Sequence, residues 1–461
     1  MNQEREQMLG TLNVKKLLIK LSIPATFGMI FNALYNLVDT IFVARGVDEI
    51  AIGALTFAFP VQMILLAIGL MIGIGSASVY SRAFGRKDYV KMDKAVNIAL
   101  GIDVILSGII TILGYMFLDD LLRFFGATDI NIGYGRDYLS YILIGLIPMT
   151  LSMVLNNLNR AEGRPKIAMI TMIIGAGMNI ILDPIFIFGF GMGVKGAAIA
   201  TVIAQVIAFI YIFINTYSKK SLLKIHVTHF FKFDRQMTKE ILSVGFPTFL
   251  RNATGAVLVI IINRLINQYV ISEPELTISI YGIINRVINF TFMPAFGIIQ
   301  GLVPIVGYNY GAKNYKRLKE AIMYATKIIV VYFLLGLVFI MALAPQIFSI
   351  FSESNHQAFI ANGAKAIRII SIGFTLVGFQ IIVSSIMQAF GYPIRALIVT
   401  ISRQVLFFIP FVYVLTSWLG SDGIWIAFPV SDILAGIIGL VLLIFEMKHI
   451  HQKAIEAHLA Y

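Results

Sequence analysis

The sequence predicts an all-α, polytopic membrane protein, with twelve transmembrane helices in two pseudo-symmetric six-helix lobes around a central cavity. Three observations support this prediction: the composition, the spacing of the apolar runs and an internal repeat. Of the 461 residues, 58% are hydrophobic and 13% are charged, about half of the roughly 25% charged share of soluble domains. Because the chain lacks the charge to cover several water-soluble cores, we exclude disorder, a disulfide-stapled secreted scaffold and a soluble Rossmann or barrel enzyme.

Twelve apolar runs, each bounded by charged or turn residues, are long enough to cross a bilayer. They lack the alternating pattern of barrel strands, so we expect helices. The runs lie at 17–45, 51–80, 95–118, 134–159, 166–190, 194–217, 240–269, 276–309, 320–350, 361–390, 394–418 and 421–447. The first run is too long for the apolar region of a signal peptide, so we expect it to remain in the mature protein.

Lys and Arg are distributed unevenly among the loops. The N-terminus, the even-numbered loops and the C-terminus hold most of the 36 Lys and Arg residues. By the positive-inside rule, both termini face the cytoplasm of a multi-pass protein in the cell (inner or plasma) membrane of a prokaryote. This distribution explains the formal charge of +12, and we expect no nucleic-acid partner.

Short motifs recur in the second half of the chain at a nearly constant distance. Phe84–Tyr89 matches Tyr310–Tyr315, and Ala161–Pro165 matches Ala389–Pro393. Two further pairs keep the offset, namely Asp183-Pro184 with Ile409-Pro410 and Lys195-Gly196-Ala197 with Asp422-Gly423-Ile424. We therefore predict an N-lobe at 1–218, a cytoplasmic linker at 219–239 and a C-lobe at 240–461. Since each lobe has an even number of spans, both cross the membrane in the same direction, a plan suited to alternating access.

Ionisable and amide side chains inside the spans are costly in lipid and are functional candidates by default. Tyr35 and Asn36 precede Asp39 by about one turn of the first span, so the three share a helical face. Asn179 precedes Asp183 by one turn of the fifth span. Two carboxyl groups and several amides are therefore expected inside the N-lobe.

The sixth span adds Thr201 and Gln205, again one turn apart. Carboxylate, amide and hydroxyl oxygens without a nearby Cys or His suit a hard monovalent cation such as sodium. The same acids could instead carry protons, or merely form hydrogen bonds across the bundle. Asp183 aligns with Ile409 of the other lobe, so we expect the coupling chemistry in the N-lobe. With no Cys and no Walker sequence, we expect no cofactor.

The C-lobe spans contain other polar groups. They are Arg251, Asn285, Arg286, Asn289, Gln300, Gln380, Arg403 and Asp432. Asp432 is expected to pair with Arg403, and Arg286 to contact substrate or backbone carbonyls. Prolines at positions 24, 148, 294 and 304 predict bends, and Pro24 precedes Asp39 on the same helix.

Twelve spans in two parallel lobes, with Tyr35–Asp39 in the first span and Asn179–Pro184 in the fifth, resemble the multidrug and toxic compound extrusion (MATE) family, specifically its DinF-like and MepA-like prokaryotic branch. The resemblance covers about residues 15–450. It implies a secondary active multidrug efflux transporter, not an enzyme, that exports amphipathic, often cationic compounds in exchange for sodium ions or protons. It assigns the cation or proton site to Asp39, Asn179, Asp183 and Thr201, with Tyr35 in the hydrogen-bond network.

The resemblance also implies a substrate cavity and a conformational role for Pro24 in bending the first helix. The residues named for the cavity are Asn36, Asn156, Gln205, Met153 and Arg286. The NorM-like branch carries acids in the seventh and tenth spans, where this chain has Gly255 and about Phe379, so we expect no coupling site in the C-lobe. The expected partners are small amphipathic substrates and membrane lipids, and the chain is expected to be a monomer.

The main alternative is a flippase for a lipid-linked precursor, from the same broader superfamily. A flippase would favour a strongly cationic central cavity, and Arg251, Arg286 and Arg403 facing one large cavity would support it. A receptor or structural membrane protein without transport is the other alternative. It predicts that replacing Asp39 with Asn leaves efflux unchanged.

Overall fold

The computed structural model describes residues 2–46, 49–230, 234–270, 273–351 and 357–459. Within these ranges the structure is all-α, with two π-helical segments, Ile185–Gly189 and Ser402–Phe408, and a short 3-10 helix, Val227–His229. The α-helices are α1 (Asn2–Thr11), α2 (Val14–Gly46), α3 (Glu49–Gly85), α4 (Tyr89–Met116), α5 (Leu118–Phe124), α6 (Ile132–Ile144), α7 (Leu146–Ala161), α8 (Pro165–Pro184), α9 (Gly193–Tyr217), α10 (Arg235–Tyr269), α11 (Pro274–Gly311), α12 (Tyr315–Ser349), α13 (Gln357–Ser371), α14 (Phe374–Phe390), α15 (Pro393–Ile401), α16 (Ile409–Leu419) and α17 (Ser421–Leu459).

Twelve spans are present when two bent helix pairs are each counted as one span, which confirms the predicted fold class. Ten helical segments of the described chain are long and apolar enough to cross a bilayer by themselves. The fourth span consists of α6 and α7, bent by 52°, and the tenth consists of α13 and α14, bent by 44°. The short helices α1 and α5 are additions that the apolar pattern did not indicate.

The internal repeat is visible in the backbone turns of the two lobes. Lys87, after α3, has a φ of 58°, and Lys313, after α11, has a φ of 56°. In both turns the next residue, Asp88 or Asn314, caps the following helix by accepting a hydrogen bond from the backbone N–H three residues later. The repeated motifs therefore encode repeated structure.

The two lobes meet along two pairs of long helices, α3 with α10 and α2 with α11. Glycines allow the backbones to come close at this interface. A Cβ atom at Gly245 would overlap the carbonyl oxygen of Met71, and a Cβ atom at Gly75 would overlap that of Ile241. Since any larger residue would push the helices apart, these positions require glycine.

We call the end of the bundle that holds the chain termini and the Lys- and Arg-rich loops the basic end. Here Glu240 of the C-lobe contacts two N-lobe cations, Arg82 at 3.1 Å and Lys91 at 3.0 Å. Ser78 of α3 donates to the carbonyl oxygen of Gln388 on α14. The interlobe hydrogen bonds and ion pairs seen among the described side chains all lie in the half of the bundle nearest this end. The lobes are therefore joined at the basic end.

Helix α1 lies across the basic end and contacts both lobes. Arg5 forms an ion pair with the buried Glu162 of the N-lobe. On the other side, Arg317 of the C-lobe donates to the carbonyl oxygen of Leu12 at 2.7 Å, just after α1 ends. The predicted polar N-terminus is thus an ordered bridge between the lobes.

The segment between the lobes packs against the N-lobe. The backbone N–H of Leu222 donates to Glu162 Oε1 at 2.6 Å. Asn97 of α4 accepts from the backbone N–H of His226 at 2.6 Å and donates to the carbonyl oxygen of Lys224 at 2.8 Å. This part of the predicted linker is therefore held by specific hydrogen bonds, and the next helix, α10, begins at Arg235.

Candidate functional site

The acids of the first and fifth spans lie next to each other inside the N-lobe. Asp39 is on α2 and Asp183 is near the end of α8, and their side chains interact directly. Asp183 is fully buried, and neither of its carboxyl oxygens makes a hydrogen bond of regular geometry with the described residues. Two carboxyl groups this close are not both ionised unless a cation lies between them, so the pair can hold a proton or a cation.

Three neutral polar side chains complete the cluster. Asn179 approaches Asp183 from one turn earlier on α8, and its Nδ2 donates to Thr201 Oγ1 of α9 at 3.1 Å. Tyr35 of α2 is also hydrogen-bonded to Thr201. Within the described part of the chain, the buried Asn179 Oδ1 has no hydrogen-bond partner and is free to accept one. The structure thus brings together all five residues that the sequence analysis named for a cation or proton site.

The backbone changes its hydrogen-bond pattern beside this cluster. Helix α8 ends at Pro184, which has no N–H to donate to the preceding turn. The π-helical segment Ile185–Gly189 follows directly. π-helical turns are wider than α-helical ones and often occur at functional sites. The wider turn changes the direction in which the neighbouring side chains point. Asp183 therefore lies where the fifth span departs from regular α-helix.

Two further polar residues were missed from the sequence, namely Tyr138, which adjoins the acids, and its hydrogen-bond partner Gln62. Tyr138 of α6 lies close enough to Asp39 and Asp183 to interact with their charges. Its hydroxyl donates to Gln62 Oε1 of α3 at 3.1 Å. Neither residue has a helical spacing from an acid, so only the tertiary packing of the N-lobe helices brings them in. A lone Gln inside the second apolar run was the only signal.

A third buried acid of the N-lobe, Asp103 of α4, was also missed. Thr150 Oγ1 of α7 donates to Asp103 Oδ2 at 2.9 Å, and Ser107 Oγ lies 2.9 Å from the same hydroxyl. The other carboxyl oxygen of Asp103 has no hydrogen-bond partner in the described ranges. The sequence did contain a signal, because Asp103 lies inside the third apolar run.

The residues named for a substrate cavity lie on several helices. Met153 and Asn156 are part-buried on α7, and Gln205 is part-buried on α9. Asn156 Oδ1 is buried and unpaired among the described residues. The side chain of Asn36 lies outside the described residues. Arg286, on α11 of the other lobe, is exposed.

The helix breaks are distributed differently from the prolines. Helix α2 continues through Pro24, and α11 continues through Pro294 and Pro304. The fourth span is broken at Gly145, three residues before Pro148. The tenth span bends at Ile372-Gly373 without a proline. Of the two broken spans, the fourth has a predicted proline near its break and the tenth does not.

The C-lobe contains an ion pair and a small cavity. Arg403 Nε donates to Asp432 Oδ1 at 2.7 Å, which confirms the predicted pairing. Arg251 and Arg403 line the same cavity, whereas Arg286 is not part of its lining. This small cavity therefore joins two of the three arginines that the flippase alternative would place in one large cavity.

The chemistry of the N-lobe cluster limits what it can bind. Its donors are two carboxyl groups, an amide and hydroxyls, all hard oxygen ligands of the kind that sodium accepts. No group of three or more His, Asp and Glu side chains suited to a metal occurs in the described ranges. The cluster therefore suits a monovalent cation or a proton, which would be cargo of the protein and not a resident cofactor.

Twelve spans in two similar lobes, joined at one end and with carboxyl groups buried inside one lobe, define a multi-pass membrane transporter. The MatE family model matches residues 24–185 and 247–414, one stretch in each lobe. The chain therefore belongs to the MatE family. MATE proteins are transporters, so the chain is a transporter and not an enzyme.

Proteins similar to this chain carry consistent names. The multidrug export protein MepA of Staphylococcus haemolyticus is 28% identical over 412 residues, covering 89% of each chain. MepA of Staphylococcus aureus strain MRSA252 is 25% identical over 429 residues, covering 93% of each chain. A structure described as the outward-facing conformation of a multidrug resistance MATE family transporter is 29% identical, with a TM-score of 0.88 and coverage of 97% and 98%. MATE transporters are in general ion-coupled antiporters.

Proposed function

We propose that this protein exports amphipathic, often cationic small molecules in exchange for sodium ions or protons taken up by the N-lobe acids. The observation that carries the proposal is the contact between Asp39 and Asp183 inside the bundle. Buried acids are expensive in a membrane, and no Lys or Arg of the described residues interacts with Asp39 or Asp183. The names of the relatives, which are multidrug exporters, support the same function.

The site can exchange a cation in the following way. When the lobes are closed at the basic end, the acids are reached from the opposite end, and one cation or proton neutralises the pair. Asn179 contacts Asp183, and its hydrogen bond to Thr201, which is also bonded to Tyr35, holds the amide in place beside the carboxyl groups. Neutralisation removes the attraction that the acids exert on a cationic substrate, so ion and substrate favour different states, which is the requirement for antiport.

The same proposal includes the orientation of the protein in the membrane. Lys and Arg are concentrated at the basic end, so we place this end and both termini in the cytoplasm of a prokaryotic cell. The chain acts as a monomer, because the cluster is assembled from helices of one N-lobe. Membrane lipids are its surroundings and amphipathic small molecules its substrates.

Dye efflux from proteoliposomes tests this function. An imposed sodium or proton gradient should drive efflux of a cationic dye by the wild type. Asp39→Asn and Asp183→Asn should each abolish the gradient-driven part, because an amide neither binds sodium as a carboxylate does nor releases a proton. Running the two gradients separately identifies the coupling ion.

The matched control is Asp137→Asn, an exposed acid on α6. It should retain wild-type efflux. Full gradient-driven efflux by both cluster variants would show that the coupling ion binds elsewhere.

A further inference from the structure

A cavity of about 40 Å³ lies inside the C-lobe, between α10, α14, α15 and the π-helical segment Ser402–Phe408. Its polar lining consists of Arg251, Gln380, Ser384, Thr400, Arg403 and Gln404. Arg251 is near the middle of α10, and Arg403 is near the middle of the eleventh span. The cavity is therefore at mid-depth in the bundle, away from the water at either end.

The charges around this cavity do not balance. Arg403 is paired with the buried carboxylate of Asp432 and keeps 28% of its side chain exposed. Arg251 has no carboxylate partner in the described part of the chain, and its guanidinium packs over the ring of Phe296 at 5.6 Å. The charge that acts on Arg251 is that of Arg403, which repels it. The cavity thus carries one positive charge more than the protein compensates.

An uncompensated guanidinium is costly at this depth of a membrane. A purely structural arginine would be expected to bond a carboxylate or backbone carbonyls, as Arg403 and Arg317 do. Arg251 instead presents its donors to the cavity beside hydroxyl and amide groups. The planar fork of a guanidinium matches the two oxygens of a carboxylate or phosphate.

The backbone supports the same interpretation. Arg403 and Gln404 lie on the π-helical segment of the eleventh span, and Asp183 directly precedes the π-helical segment of the fifth. The two lobes therefore both depart from regular α-helix in this span, the N-lobe just after an acid and the C-lobe at a base. The two positions are not equivalent, because Asp183 aligns with Ile409 and not with Arg403.

We propose that the C-lobe cavity binds the anionic group, a carboxylate or phosphate, of an amphipathic small-molecule substrate, with Arg251 as the main ligand and Arg403 beside it. This inference rests on the proposed export function, since it extends the substrates from cations to acids and zwitterions. The side-chain amide of Gln404 supplies a further hydrogen bond from the cavity wall. The N-lobe acids are not part of this site.

Equilibrium binding of matched probes tests the proposal independently of transport. The probes are anthracene-9-carboxylate, its methyl ester and 9-(aminomethyl)anthracene, and the readout is fluorescence anisotropy with full-length protein in phosphatidylcholine nanodiscs. Wild type should bind the carboxylate more tightly than the ester. Arg251→Gln should weaken carboxylate binding by at least about tenfold, since a charge-assisted hydrogen bond is lost, and should leave the ammonium probe unchanged. Arg251→Lys should restore part of the affinity.

The matched control is Arg264→Gln, an exposed arginine further along α10, which should bind like wild type. Equal carboxylate binding by wild type and by monodisperse Arg251→Gln would overturn the proposal. The proposal would also be overturned if wild type lost carboxylate binding when phosphatidylglycerol replaces phosphatidylcholine in the nanodiscs. The anion bound in the cavity would then be a lipid headgroup. Failure of the export proposal would appear instead as intact dye efflux in the Asp39 variant, with anion binding unaffected.

Discussion

At the scale of single residues, the hydroxyl of Thr201 links the helices of the N-lobe cluster. It accepts from Asn179 and is hydrogen-bonded to Tyr35, so it joins α8, α9 and α2. The cluster depends on this one group to hold the amide and the phenol beside the acids.

We therefore expect Thr201→Val, which keeps the shape of the side chain, to weaken the apparent affinity for the coupling ion by up to about tenfold, as loss of a buried hydrogen bond does. The measurement is the initial rate of dye efflux as a function of external sodium or pH. Thr201→Ser keeps the hydroxyl and should resemble wild type. Identical ion dependence in the Val variant would contradict this role.

Glu162 is the most heavily bonded carboxylate at the basic end. It is fully buried, pairs with Arg5 and Arg164, and accepts from Ser221 and the backbone of Leu222. Burial lowers the pKa of both guanidinium groups, and their ion pairs with Glu162 offset the cost of keeping them charged.

Glu162→Ala should therefore lower the free energy of unfolding by about 3 kcal/mol, because it leaves buried cations unpaired. The measurement is thermal unfolding in detergent micelles. Glu275→Ala, at an exposed position on α11, is the control and should change little. A Glu162 variant as stable as this control would show that the cluster is not structural.

The residues of the candidate site differ in how well the sequence predicts them. Asp39, Asn179 and Asp183 follow from helical spacing inside apolar runs, because a polar group in a span is rare. Tyr138 and Gln62 do not, since contacts between distant helices are set by packing. Their place beside the acids is a tertiary property.

At the scale of helices, the equivalent caps Asp88 and Asn314 begin the third span of each lobe. Asp88→Ala and Asn314→Ala should each cost on the order of 1 kcal/mol and fray the first turn of α4 or α12. Hydrogen exchange of the first helical turn measures this effect. Asp88→Asn keeps a side-chain acceptor and should protect α4 like wild type, whereas equal exchange in the Ala and Asn variants would argue against capping.

The apolar runs predicted the spans well but not their internal irregularities. Hydropathy responds to length and composition, so it cannot distinguish a straight span from the bent α6–α7 pair. The π-helical segments were also invisible, because a shift in hydrogen-bond pattern leaves the apolar content unchanged. Helix α1 was missed because it is too short and too polar to form an apolar run, although its Leu9 is fully buried in the core.

At the scale of the whole molecule, the lobes are held together by close backbone packing at the basic end. Gly245→Val should separate α10 from α3, because its side chain would occupy the space of the Met71 carbonyl group. We expect the basic end to open. Since the sequence has no Cys, a label pair at K166C and K316C, exposed positions in different lobes, can report the distance by double electron–electron resonance.

The distance distribution should shift to longer values in the Gly245→Val background. The control is Gly282→Val, because a Cβ atom at Gly282 has no neighbour within 4 Å among the described residues. An unchanged distance distribution in the Gly245→Val variant would contradict this prediction, because the two lobes would then accommodate the valine side chain without separating.

Helix α1 has a consequence for how the protein can move. Arg5 is tied to the N-lobe by an ion pair with a buried carboxylate, while the C-lobe holds the end of α1 through hydrogen bonds from Asn309 and Arg317 to the carbonyl oxygens of Leu9 and Leu12. When the lobes separate at this end, we expect these hydrogen bonds to break before the ion pair, so α1 travels with the N-lobe and leaves the C-lobe behind. The contacts between α1 and the C-lobe must then break and form again in each transport cycle.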